Sequence, residues 1–122
     1  MYSTSRLKTI KLPFADWVEM AAETGLSQYT KENCDRAQSI VENLRGELMK
    51  LGEAASEAEI LAAIEAAVTA LNSLNNLIGG QFIETGEREE LCDLFDEFAE
   101  AAGLVPSDYC DGEGPATLWR EW

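Results

Sequence analysis

Apolar residues recur along this chain at helical spacing, and glycine or proline interrupts each run. Phe14, Trp17, Val18 and Ala21 follow Pro13, whose missing N–H suits the first turn of a helix. Gly25 is placed to close that helix as a left-handed cap, with Leu26 folding back on the last turn, so the pattern predicts a helix over 13–24. Ala37, Val41, Leu44, Leu48 and Leu51 then recur at spacings of four and three. This is the seam of a second helix, over 31–51, that begins after Thr30 and ends at Gly52. Gly46 falls on its outer face.

A third helix, over 57–78, has the plainest start signal. Ser56 and Glu59 are spaced for a capping box, in which hydroxyl and carboxylate each take the other's backbone N–H. Ile60, Ile64, Ala67, Leu71, Leu74 and Ile78 form its stripe, and Leu61 and Val68 widen it. Five alanines between Ala62 and Ala70 allow neighbours to approach closely, which predicts the most buried helix of the fold. Asn72, Ser73, Asn75 and Asn76 are expected to cap and fray its end. Gly79-Gly80 stops it, and 81–84 is a brief extended link. Thr85 is read as the cap of a fourth helix, over 86–102, with Leu91, Cys92, Phe95, Phe98, Ala99 and Ala102 inward. Gly103 and Pro106 end it, and 115–121 has room for one last turn.

Before the first helix, residues 7–12 alternate apolar and polar, which predicts a short extended arm. The 122 residues are expected to form one domain. The predicted fold is all-α: a single-domain antiparallel four-helix bundle with an extended N-terminal arm and an aromatic C-terminal tail.

Charge changes the picture more than composition does. The first fifty residues hold seven acids and seven bases, whereas residues 51–122 hold sixteen acids against Arg88 and Arg120. The net charge of −14 therefore lies wholly in the second part. Such a field repels phosphate and anionic membrane and attracts basic surfaces. No direct nucleic-acid or membrane partner is expected, and Arg6, Lys8 and Lys11 are too few to bind nucleic acid. These three bases are expected to pair with the acidic half of this chain or of a second copy, which makes a homodimer by arm exchange a side expectation.

Chemistry is limited by what is missing. There is no histidine, which removes the commonest general base, metal ligand and nucleophile partner. Cys34, Cys92 and Cys110 form no CxxC pair and are expected to be reduced thiols of a cytoplasmic protein. Asp108-Tyr109-Cys110-Asp111-Gly112-Glu113 does not fit a calcium loop, since Cys110 and Gly112 occupy ligand positions. No catalytic residue, metal or cofactor is assigned, and the chain is read as non-enzymatic.

What remains is a surface. Glu89, Glu90, Asp93, Asp96, Glu97 and Glu100 line the side of the fourth helix opposite Phe95 and Phe98. Like charges four apart cost about 0.2–0.5 kcal/mol per pair, and mixed charge would solubilise as well. Retained single-sign charge therefore points to steered docking of a basic partner. Tyr109, Asp111, Glu113, Trp119 and Trp122 extend the candidate site, because aromatic anchors inside an acidic rim suit an Arg- or Lys-rich surface. Leu118 and Trp119 are expected to fold back as a lid, leaving Trp122 free.

The expected function is a small acidic cytoplasmic binding module that masks a basic surface of another protein. It would act as an inhibitor, an immunity or antitoxin-like factor, or a nucleic-acid mimic. In size and charge the chain resembles the immunity proteins of bacterial nuclease toxins, a likeness of composition that no motif carries. The alternative is a structural or assembly subunit that buries the helical seams against copies of itself.

Overall fold

The computed structural model describes residues 2–122. Among them every regular element is helical. The α-helices are α1 (Thr4–Thr9), α2 (Phe14–Thr24), α3 (Lys31–Leu51), α4 (Glu57–Leu77) and α5 (Thr85–Ala101), followed by three short 3-10 turns. The four long helices lie within a residue of the predicted bounds because their ends are local. Thr30 accepts from the Asn33 N–H at 3.1 Å, and both halves of the Ser56/Glu59 capping box form, at 3.1 and 2.9 Å. Gly25 adopts φ +76° and donates to Ala21. Leu26 remains 41% exposed, so the expected apolar clasp over that cap does not form. Thr85 is the first residue of α5 rather than its cap, and Glu84 precedes it without a side-chain bond.

Residues 4–9 of the arm are helical, which corrects the extended reading there, while Ile10 is extended. Ser3 accepts from the Arg6 N–H at 3.2 Å, and Leu7 and Ile10, three apart, face inward and are buried. Arg45 of α3 completes the element. It donates from Nη1 to the Leu7 carbonyl and from Nη2 to the Ile10 carbonyl at 2.8 Å, placing a cation on the open C-terminal end of α1. Its guanidinium also lies 5.6 Å from the centre of the Phe98 ring, so one side chain ties α1, α3 and α5 together.

One continuous buried cluster draws on every helix. α3 packs along α4 over the longest contact and also meets α1 and α2. At one end Phe14, Trp17, Tyr29 and Phe82 meet edge-on or tilted, with ring centres 5.0–5.7 Å apart. α4 buries more residues than any other helix, as expected, but its alanines do not enclose it on every side, since Ala58, Ala62 and Ala66 are exposed. By length and composition α4 could cross a membrane (mean hydropathy 1.2 over eighteen residues), and 44% of that stretch is buried inside the fold.

The end of α4 does not fray. Asn75 is buried, and its Oδ1 accepts from the Phe82 and Ile83 N–H groups at 3.0 and 2.9 Å. Asn72, also buried, donates to the Trp119 carbonyl and accepts from the Glu121 N–H, both at 3.0 Å. These two amides fix the link into α5 and the tail after it. The tail packs on both α4 and α5.

Candidate functional site

α5 turns Leu91, Leu94, Phe95, Phe98 and Ala99 into the core. Helical geometry therefore forces its acidic residues outward. The structure divides the six candidates into two groups. Glu90 accepts from the Trp17 indole N–H at 2.8 Å, Glu100 pairs with Arg6 at 3.1 Å, and Asp96 is tucked under the tail. Glu89, Asp93 and Glu97 are exposed and make no ion pair or side-chain hydrogen bond among the described residues. Spaced four apart, they form an acidic ladder along one side of the helix.

The basic arm barely touches this field. Arg6–Glu100 is the one ion pair joining the N-terminal bases to the acidic part among the described residues. Its side chains are about half exposed, at 48% and 57%, so it contributes at most about 1 kcal/mol. Lys8 and Lys11 make no ion pair there.

The tail residues are placed less uniformly than the sequence suggests. Tyr109 donates its hydroxyl to Glu57 at 2.7 Å and so ties the tail to the start of α4. Burial first, then the Glu57 carboxylate, push its phenol up to about 12. Asp111 is exposed on a left-handed turn (φ 56°) following Cys110 (φ 54°). Glu113 joins the ladder: with Glu89, Asp93, Cys92, Arg88 and Arg120 it lines a cleft of about 370 Å³.

The expected roles of Leu118 and Trp122 are reversed, while Trp119 packs against the core as expected. Trp122 is buried, under Arg120, whose guanidinium lies 5.8 Å from the indole centre and donates to the Trp122 carbonyl at 2.6 Å. Trp119 is half-buried and Leu118 is 50% exposed. Pro115 and Ala116 are the residues that close over the core. A 3-10 turn after Gly114 sets this phase, and the period of an α-helix does not apply to it.

Asp96 and Gly114 make a close junction between α5 and the tail. Gly114 has φ +94°, and a β-carbon there would strike Asp96 Oδ1. That oxygen is buried without a protein partner. Burial first, then the charges of Asp93 and Glu100, raise the Asp96 carboxyl to about 6.

Two thiols, Cys34 and Cys92, are held protonated. Burial pushes Cys34 up to about 11, and it also raises Cys92 despite the opposing pull of Arg120 and Arg88. Among the described residues, no three His, Cys, Asp or Glu side chains converge as a metal site. No protein-family model matches this chain, and no curated protein or solved structure matches it either.

Proposed function

We propose that this chain is a binding module that occupies a basic surface of another protein. Its docking face is the Glu89–Asp93–Glu97 ladder with Glu113 at its edge. The observation that supports this most is the excess of acid over internal cations. Sixteen acids crowd residues 51–122, whereas among the described residues Arg6 pairs with one of them and only Arg88 and Arg120 lie beside Glu89, Asp93 and Glu113. A solubilising surface gains nothing from like charges stacked at spacing four, whereas a docking surface uses them to steer a cation-rich partner. Asp111, Trp119 and the exposed Leu118 belong to the tail that brings Glu113 to this face, and Trp122 lies under Arg120 at its edge.

Cys34 and Cys92, held protonated by burial, and the lack of histidine favour masking over catalysis. An inhibitor, an immunity or antitoxin-like factor, or a mimic of nucleic acid would each use such a face. Three unbridged cysteines agree with a reducing cytoplasm. Connections of five to seven residues between the long helices suit an antiparallel bundle, a rigid base for the ladder.

The test is capture from source cytosol on the immobilised chain. A basic protein should be retained at 0.1 M salt and released as the screening length falls from ~10 Å to ~3 Å at 1 M. Retention indifferent to salt, or of no basic protein, contradicts the proposal.

A further inference from the structure

We infer that the open side of the α3–α4 pair is a second docking surface, shaped for a single amphipathic helix of a basic partner. The groove there has a volume of about 500 Å³. Its floor is the outer alanine face of α4, with Ala62, Ala63, Ala66 and Ala70, and its wall is Ile40 and Leu51 of α3. Fewer than half of the residues in the most apolar stretch of α4 are buried by the fold.

From Glu59 to Ala70 the groove runs eleven rises along the helix, about 17 Å, or three turns. Alanine keeps the floor low, so a third helix can lie close against both axes. A helix seated in an apolar groove is a recurrent mode of peptide recognition.

The rim selects the occupant. Glu47 and Glu59 flank the apolar strip with Asn43, and no Lys or Arg lines it. No base occurs anywhere from Leu51 to Leu77. An apolar helix face edged by Lys or Arg complements this rim. A second copy does not, because it would bring the same two carboxylates and another charge of −14 to the interface. The partner's sign agrees with the function proposed above, but the groove stands on different residues from the α5 ladder, so either surface can fail alone.

The probe is a synthetic eighteen-residue helical peptide with leucine and alanine on one face and lysine on its edges. It is titrated into the full ¹⁵N-labelled chain at 0.15 M salt. The controls are a scrambled peptide of identical composition and a version carrying Glu for Lys. Amide shifts should concentrate on Ile40, Asn43, Glu47, Ala62 and Ala66, with at least tenfold weaker binding of both controls. The E47Q/E59Q pair should weaken the lysine peptide several-fold, since glutamine still completes the capping box. Ala66→Trp should block it. The E89Q/D93N/E97Q chain should bind it within about twofold of the parent, which separates this groove from the α5 ladder.

Equal binding of the scrambled peptide, shifts confined to α5, or indifference to E47Q/E59Q would overturn the inference. So would self-association of the unliganded chain through Ala66, or insertion of the same positions into zwitterionic vesicles. Should Ala66→Trp fail to fold, the E47Q/E59Q pair, on exposed side chains, decides the matter.

Discussion

The Asp96 carboxylate rests against the α-carbon of Gly114, with Oδ1 buried and unpartnered. Of the seven acids on α5 it is the one held beneath the tail. Its titration therefore reports on the fold.

The sign of the pH effect follows from the raised carboxyl. Asp96 titrates at about 6 in the folded chain against 3.8 for a free carboxyl. Its contribution to stability is fully present below 3.8, falls as pH rises through 6, and is absent at pH 7. Asp96→Asn should therefore stabilise the chain at pH 7 by on the order of 1 kcal/mol, allowing for partial solvent screening. It should also flatten the stability profile between pH 4 and 6. Urea unfolding across that range measures both effects, and an unchanged slope would refute the assignment.

Gly114→Ala tests the same junction from the other side. Left-handed backbone and the collision with Asp96 act together, so a loss of about 2 kcal/mol or more is expected. In an Asp96→Ala background the steric part should vanish, leaving about 1 kcal/mol from the backbone alone. A double-mutant cycle of unfolding energies measures the coupling, and strict additivity would show that the two residues do not touch.

Asn75→Ala should be among the most damaging single changes. It leaves the buried N–H groups of Phe82 and Ile83 without their acceptor, at about 1–3 kcal/mol each. Loss of hydrogen-exchange protection at the start of α5, ahead of α3, is the expected signature.

Gly46→Ala should have the opposite effect. Gly46 lies exposed in the middle of α3, and nothing lies within 4 Å of the position a β-carbon would take. Helix propensity alone then predicts a gain of about 1 kcal/mol, read as a higher urea midpoint with an unchanged slope.

Legibility in the sequence tracks the range of the interactions. The ends of α2, α3 and α4 are set by residues within four positions of one another, and Pro13, Thr30, Ser56 and Gly25 marked them. The alternation over residues 7–12 reads as extended because the cation that completes α1 is Arg45, more than thirty residues away. Asn72 and Asn75 looked like fraying polar residues, since the groups they satisfy come from the tail and from the link after α4. The acidic stripe on α5 was visible. Its division into paired Glu90 and Glu100, tucked Asp96 and the open ladder was not, because Trp17, Arg6 and Gly114 supply the distinction from other elements. Trp122 and Leu118 exchanged roles for a similar reason: the 3-10 geometry after Gly114 sets their phase.

Whether the ladder is a docking face is decided most directly by the affinity of the captured basic partner for E89Q/D93N/E97Q against the parent chain, at 0.1 M and 1 M salt. Removing the repulsions should raise the variant's stability by about 0.5 kcal/mol. Its affinity should fall at least tenfold at 0.1 M, with most of the difference gone at 1 M. A variant that gains stability and binds as tightly as the parent at both salts would contradict the account, and the charge would then be only a hydrated surface.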